Sequence, residues 1–445
     1  MHVIIIGGGA SGLFVALWCA KLGKSGDTVT IVDAVSTPRL GAGLAYAADT
    51  ERFLLNVRAA GMSAYPEQPA HFADWIRVHK GYGDAEGFVP RCWYAEYLQD
   101  VYRTEVTTSA VQVVHHQHGA IAIDGERRHV RCADGSELHG DAIVLALGNL
   151  PPANPLRAWQ SSPTYMVDWY EFDPKTVQGD DPVVCIGTGL TMVDQVIALH
   201  ATGYTGKIVA ISRHGKLPQV HVARQSYPSP LTEDDAALDV SRVLGKVRVA
   251  IAEAAKQGVP WQAVIDSIRP HTRNIWRKWG ELKQQRFLRH VRALWDIHRH
   301  RMAPEISQII NHLITSGRLH IVRGRICAYV ETDHGGVVTY VGPHGSRDIT
   351  SRHIVNCTGP TNHYTAQPVL HDFAQQGGVV TDAHGLGVRV DERGQLVDRA
   401  GHTVAGLWAI GPMRKGTDWE CTAIPDIRNQ AYDIARAIVQ TEVLA

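Results

Sequence analysis

Two glycine-rich runs carry the residue types and spacing that hold phosphate groups. The first reads Ile4-Ile5-Ile6-Gly7-Gly8-Gly9-Ala10-Ser11-Gly12-Leu13. Gly7, Gly9 and Gly12 match G-x-G-x-x-G between an apolar, strand-like run and a helix-like run, the context that gives the motif meaning. Gly7 permits the tight turn, Gly9 lets the backbone approach a pyrophosphate, and Gly12 lets the helix sit close to the strand. The helix start, at Ala10 and Ser11, offers free N–H groups and a positive dipole end to phosphates. Asp33 ends the next apolar run, 21 residues after Gly12, where a carboxylate accepts hydrogen bonds from an adenosine ribose.

The second run reads Val183-Val184-Cys185-Ile186-Gly187-Thr188-Gly189-Leu190-Thr191-Met192-Val193-Asp194. Gly187 and Gly189 keep the first two positions, and Leu190 and Thr191 open the helix. Met192 replaces the third glycine, so strand and helix must stand further apart. No acid ends the following strand; it runs Ile211-Ser212-Arg213 instead. A carboxylate there would repel a 2′-phosphate, whereas Arg213 is able to pair with one, which favours NADPH over NADH. A solvated loop arginine is an equally good reading of Arg213. Two such turns, 180 residues apart, imply two dinucleotides in one chain.

The rest of the composition narrows the class. The 445 residues suggest roughly three domain-sized units. Lys plus Arg equals Asp plus Glu at 44 each, so a general nucleic-acid binder is excluded. The seven cysteines are scattered and form no C-x-x-C pair. A disulfide framework or a metal site is not expected, and a reducing cytoplasm is. The apolar run 3–20 contains glycines and lacks a basic flank, so a strand, turn and helix explain it better than a membrane span.

Stepping along the chain, residues 2–6, 28–32 and 141–147 read as buried parallel strands, being apolar without alternation. Residues 12–22, 72–80 and 93–102 read as helices. Residues 110–139 alternate apolar and polar between Gly turns, as a small antiparallel meander does. A second unit follows Pro182, with strands at 183–186 and 207–211 around a helix at 190–202. Residues 231–317 are helix-rich. Strands return at 319–323, 326–331, 336–341, 353–357 and 406–410, before a final helix at 425–440. The fold class is therefore α/β: two Rossmann-like, three-layer dinucleotide-binding domains with a helix-rich insertion at 231–317.

The chain resembles the two-dinucleotide flavoproteins related to class B monooxygenases. Within them it is similar to the FAD/NAD(P)-binding family that includes L-aspartate N-monooxygenase-like proteins and FAD-dependent urate hydroxylases. The marks are Gly43-Leu44-Ala45-Tyr46, Leu55-Asn56-Val57, Met62-Ser63-Ala64, the second glycine run, Ser212-Arg213, Arg289-His290, 298–304, 416–420 and 423–428. The resemblance covers nearly the full length and implies FAD at the first turn and NADPH at the second. Gly406–Gly411 resembles the strand that returns to cover a flavin, with Ile424 at the start of the helix that faces it. Gly411-Pro412 stands where many flavoproteins have Gly-Asp, so the ribityl hydroxyl needs another partner. Gly148 and Gly359 end strands like those that cross between the two domains. The implied division is 1–175 with 358–445 for FAD, and 176–357 for the nicotinamide. Leu44 and Asn56 fall in the loop that runs along the isoalloxazine by resemblance. Asn56 is the leading active-site side chain, with a locally satisfied turn residue as the alternative.

The implied function is an FAD-dependent, NADPH-reduced monooxygenase that hydroxylates a small polar metabolite with O2 through a C4a-peroxyflavin. An amino-acid amine or a urate-like ring is the implied substrate. Two alternatives stay open: a reductase passing electrons to a protein or quinone, and a non-enzymatic FAD-binding sensor. No membrane partner is expected; a homodimer stays open. The Arg/His-rich stretch 286–301 reads first as a solvated or inter-domain face and second as an anion contact. Trp276 and Trp279 read as core. Arg414, Lys415, Trp419 and Glu420 are candidates for the substrate pocket.

Overall fold

The computed structural model describes residues 1–47, 50–156 and 164–443. Two parallel sheets dominate. The first has six strands in the order Gln395–Val397, Thr403–Ala409, Ala142–Leu145, His2–Ile6, Thr28–Val32, Gln112–His116. All neighbours are parallel except the edge strand Gln395–Val397. The second has five parallel strands in the order Leu319–Arg323, Ile208–Ser212, Val183–Ile186, His353–Asn356, Met166–Asp168. The apolar strands His2–Ile6 and Val183–Ile186 lie inside their sheets with helices over them, which is why they show no alternation.

Helix Ala10–Leu22 is buried along Ser11–Ala20. It packs against the C-terminal helix Ile424–Val443, where Trp18 and Tyr432 meet edge to face at 4.8 Å. A helix covered on all sides has no polar face to show, and this one has none.

Three expectations need correction. Residues 110–139 are not one meander: Gln112–His116 is a parallel edge strand of the first sheet, and only Ala120–Asp124, His129–Cys132 and Glu137–His139 form the antiparallel sheet. A half-exposed edge strand alternates just as a meander strand does, so the pattern did not separate them. The boundary at 175 is late, because Met166–Asp168 pairs with His353–Asn356 in the second sheet. The helical insertion ends before 317. Helix Pro304–Thr315 packs on Leu190–Ala201 and on Leu319–Arg323, with Ile310 and Leu313 fully buried, and so is the crossover helix of the second unit. One polar strand, Gly345–Ser351, carried no apolar signal and went unread.

The insertion itself docks through helix Arg269–Lys278. Positions 273, 276 and 277 share one helical face. Arg273 Nε lies 2.9 Å and Arg277 Nη2 2.7 Å from Asp418 Oδ1, while Arg414 Nη2 is 2.7 Å from Oδ2. Trp276 Nε1 donates to the Gly416 carbonyl at 2.8 Å. Asp418 is fully buried, so three guanidinium groups share one desolvated carboxylate. Removing that charge strands its partners. Asp418→Asn is expected to cost about 3–5 kcal/mol, the range for breaking a buried ion pair. Urea unfolding of the two proteins measures this, and a loss below about 1 kcal/mol would show the cluster to be solvated.

Candidate functional site

The two glycine turns are built alike. Gly7 has φ +111°, and a Cβ there would lie 2.3 Å from the Ala146 carbonyl oxygen; Gly187 has φ +119°, and its Cβ would lie 2.4 Å from the Cys357 carbonyl oxygen. Each turn thus presses its first glycine against the end of a neighbouring strand, where no side chain fits. The turns differ at the third position. A Cβ on Gly12 would sit 1.9 Å from the Gly7 carbonyl oxygen, whereas Met192 is accommodated and fully buried. Gly9 meets only the Gly43 Cα, at 3.7 Å, and Gly189 has nothing within 4 Å. Both second glycines therefore face open space.

No side chain caps helix Ala10–Leu22 or helix Leu190–Ala201. Their first N–H groups remain free for an anion, which is the donor set a pyrophosphate needs. A cleft of about 500 Å³ opens over the first turn. Gly7, Gly9, Ala10, Ser11, Asp33, Leu44, Gly148 and Ile424 all line it. Gly12 lies beneath it, at the helix–strand contact. Asp33 is half-buried and is held in place by the Gly8 N–H on Oδ2 at 2.5 Å and the Val35 N–H on Oδ1 at 2.9 Å. Gly411 packs behind the cleft on the C-terminal side, against Ser11. Its N–H donates to Gln430 Oε1 at 2.9 Å, and a Cβ on it would lie 2.9 Å from Ser11 Oγ. Pro412 lines the cleft and brings no carboxylate. Arg39 and Thr422 also line it and were missed by the sequence reading. An arginine six residues after Asp33 was the available signal.

In the second unit, Thr188 Oγ1 bonds to Ser212 Oγ at 2.8 Å and donates to the Lys216 carbonyl at 2.6 Å. These bonds fold the loop after strand Ile208–Ser212 back onto the turn. Arg213 stands exposed in that loop, with no hydrogen bond or ion pair among the described residues. Thr191 and Leu190 start the helix, and Gly359 ends the strand beside the turn with φ +57°.

Asn56 lies elsewhere, in a seam between the units. Its carbonyl accepts from His221 Nε2 at 3.1 Å, and its side-chain amide has no partner among the described residues. It does not line the cleft. Arg91 fixes this seam. Its Nη1 and Nη2 reach Asp194 Oδ2 and Oδ1 at 2.8 and 3.1 Å, and its Nε donates to the Leu54 carbonyl at 3.0 Å. Arg58 Nη2 adds a bond to the Val222 carbonyl at 2.5 Å. Burial pushes the Asp194 carboxyl up, against the smaller pull of Arg91. The sequence reading quoted Asp194 within its motif but could not supply Arg91, which is 103 residues away.

The Arg/His-rich stretch is an inter-domain face. Arg299 pairs with Glu420 at 3.2 Å and Arg301 with Asp266, while Arg286 and Arg292 make only exposed ion pairs. His298 and His300 belong to neither set of side chains close enough to share a metal ion; those sets are His116, Cys132, Asp134 and His129, Glu137, His139. Trp276 and Trp279 are buried, as expected. Cys185 and Cys357 are buried under the second turn, with the Cys357 thiol pushed well up by burial first and by Cys185 next.

His221 titrates with the seam. Burial first, then Arg301 and Arg58, lower its pKa from 6.5 to about 3. The folded protein therefore leaves it neutral while the unfolded chain protonates, so its contribution is lost as pH falls from 6.5 towards about 3. Between about pH 7 and about pH 5, Tm should fall less steeply in His221→Gln than in the parent. Parallel slopes in a thermal melt series would remove His221 from the acid response.

Residues 4–150 match the model of a family described as FAD-NAD(P)-binding. No curated protein sequence matches the chain. Among solved structures, L-lysine 6-monooxygenase from Pseudomonas syringae superposes with a TM-score of 0.67 at 16% identity, covering 98% of this chain and 99% of that one. Reduced ornithine hydroxylase from Pseudomonas aeruginosa gives 0.65 at 15% identity, with 99% and 98% covered. Thioredoxin reductase from T. acidophilum gives 0.51 at 12% identity, with 100% and 98% covered. At these identities the likeness establishes the fold, two parallel-sheet nucleotide units with a helical insertion.

Proposed function

We propose that the chain is an FAD-dependent, NADPH-reduced monooxygenase acting on a small polar metabolite, an amine-bearing amino acid or a urate-like ring. The observation that carries this reading is the pair of like-built turns, each with an uncapped helix, on sheets joined at a seam that holds Asn56. Among the solved structures it superposes on are an ornithine hydroxylase and a lysine monooxygenase. A dithiol relay to a protein acceptor has less support, because Cys185 and Cys357 are buried away from the nucleotide cleft.

In this reading the N–H groups of Ala10 and Ser11 would hold the FAD pyrophosphate, and Asp33 would accept from the ribose. Leu44, Gly148, Gly411 and Ile424 wall the flavin end. The lack of a carboxylate at Pro412 leaves the ribityl chain to backbone groups and Thr422. Gly187, Gly189, Leu190 and Thr191 would hold NADPH, with Arg213 for its 2′-phosphate and Gly359 beside the turn. Bound flavin supplies hydride acceptance and O2 activation. Asn56 contributes an unpartnered amide at the seam, able to orient nicotinamide or substrate.

Three outcomes test this. Gly9→Val should fold, since only Gly43 is near, yet hold FAD about tenfold or more weaker by its own absorbance titration, as the pyrophosphate can no longer approach. Arg213→Ala should weaken NADPH roughly 10–100-fold and NADH little, the range for a bond to a charged group; equal effects on both would take Arg213 out of the phosphate site. With ornithine, lysine, aspartate and urate as a panel, one substrate should raise NADPH and O2 consumption together and yield a hydroxylated product. Rapid NADPH oxidation with an artificial acceptor but no O2 uptake with any member would replace the monooxygenase reading by a reductase.

A further inference from the structure

The helical insertion encloses a cavity of about 290 Å³, separate from the nucleotide cleft. Helices Val240–Lys256, Arg269–Lys278, Glu281–His290 and Arg292–Arg299 form its walls, and Trp419 of the C-terminal segment closes it. An engineered apolar cavity of about 150 Å³ holds one benzene, so this one has room for a bicyclic molecule. Aliphatic side chains make most of the wall, and Trp276, Trp279, Phe287, Trp295 and Trp419 add aromatic faces to it. Trp419 lies 5.0 Å from Trp276 and 5.1 Å from Phe287, ring centre to ring centre.

The polar side chains lining this cavity, apart from the indoles, are Arg248, Thr272 and His298. No carboxylate lines it, whereas Arg248 and His298 do. Arg248 is exposed and makes no ion pair among the described residues. Trp419 is flanked by two cations, with Lys415 Nζ 5.4 Å and the Arg292 guanidinium 6.0 Å from its ring. Lys415 is half-buried and has no carboxylate within ion-pair distance among the described residues, although Arg292 is weakly tied to Asp296 at 3.6 Å. Two indole N–H groups of the wall, Trp279 Nε1 and Trp419 Nε1, are buried and have no acceptor. Their neighbours Trp276 and Trp295 do have one, at the Gly416 carbonyl and at Glu420. Buried donors without acceptors are costly and uncommon. The cavity thus offers apolar surface, two buried indole donors and the Arg248 guanidinium, with Thr272 and His298 as its other polar side chains and no carboxylate in its wall.

We propose that this cavity binds an amphipathic organic anion, with an apolar body of bicyclic size inside and a carboxylate or sulfonate directed to Lys415 and Arg292 beside Trp419. The site stands independently of the flavin reading. Large apolar pockets with few convergent polar groups are the usual form of small-molecule sites, and here the cations beside Trp419, with no carboxylate in the wall, favour an anionic ligand.

Calorimetric titration of the FAD-loaded protein with three ligands of one ring system tests it: 2-naphthoate, 2-methylnaphthalene and 2-naphthylmethylammonium. Naphthoate should bind at least about tenfold tighter than either of the others. Val247→Trp fills the cavity and should abolish naphthoate binding; if that variant does not fold, Ile251→Phe narrows the same wall. Lys415→Met should weaken naphthoate and leave 2-methylnaphthalene unchanged. Equal affinity for the three ligands, unchanged binding in the filled variant, or no heat up to about 1 mM naphthoate would each overturn the proposal. The readout is binding heat without NADPH, so a failed monooxygenase assay does not affect it.

Discussion

The guanidinium of Arg91 is the constraint on which the rest of the arrangement depends. It bonds both oxygens of Asp194 in the second unit and the Leu54 carbonyl in the first. Asp194 lies on the helix that starts at the second glycine turn, and Leu54 lies in the loop that carries Asn56. One planar fork therefore sets the angle between a nucleotide turn and the seam loop. Both partners are about a quarter exposed, and burial opposes the ionised Asp194. The pair is consequently worth more in geometry than in stability: bidentate pairing fixes direction, while the cost of desolvation offsets much of the attraction. Arg58 and His221 add two further bonds across the same seam, so the loop cannot move without breaking several contacts at once.

The two nucleotide units repeat one backbone solution with different tolerances. Gly7 against Ala146 and Gly187 against Cys357 are the same contact, and each demands a glycine for the same steric reason. At the third position the units part. Gly12 brings its helix onto the turn so closely that any side chain would collide with the Gly7 carbonyl, whereas Met192 fills the core of the second unit and holds its helix away. The first helix is also buried through most of its length and clasped by the C-terminal helix. A rigid, enclosed turn suits a resident cofactor, and a looser turn with an exposed arginine suits one that comes and goes.

Local signals were legible and distant ones were not. Gly7, Gly9, Gly12 and Asp33 could be assigned from sequence because a phosphate turn is specified within about 30 residues of chain. Ala10, Ser11, Leu44, Gly148 and Ile424 line the first cleft. Strand Met166–Asp168 was unreadable because three residues have no periodicity, and only its pairing with His353–Asn356 assigns it. Asn56 sits in the seam, where its carbonyl is engaged by a histidine 165 residues away, a contact that no local sequence signal announces. The cluster on Asp418 had no local signature either, since two of its arginines lie more than 140 residues away.

The C-terminal segment from Gly411 to Ile424 explains why these separate features belong to one design. Pro412 lines the nucleotide cleft, and Gly411 packs behind it against Ser11. Arg414 and Asp418 bind the helical insertion, Trp419 closes the apolar cavity, and Glu420 receives Arg299 from the Arg/His-rich helix. Ile424 then returns to the cleft. Most of this segment is buried, and its regular structure is limited to one short turn of helix at Gly411–Arg414. Its shape is therefore imposed by what it touches on either side rather than by its own backbone hydrogen bonds. A packed segment of this kind transmits strain because interiors are close-packed and cannot absorb displacement locally. The nucleotide cleft, the insertion and the cavity thus share one mechanical element, and the position of any one of them is part of the definition of the others.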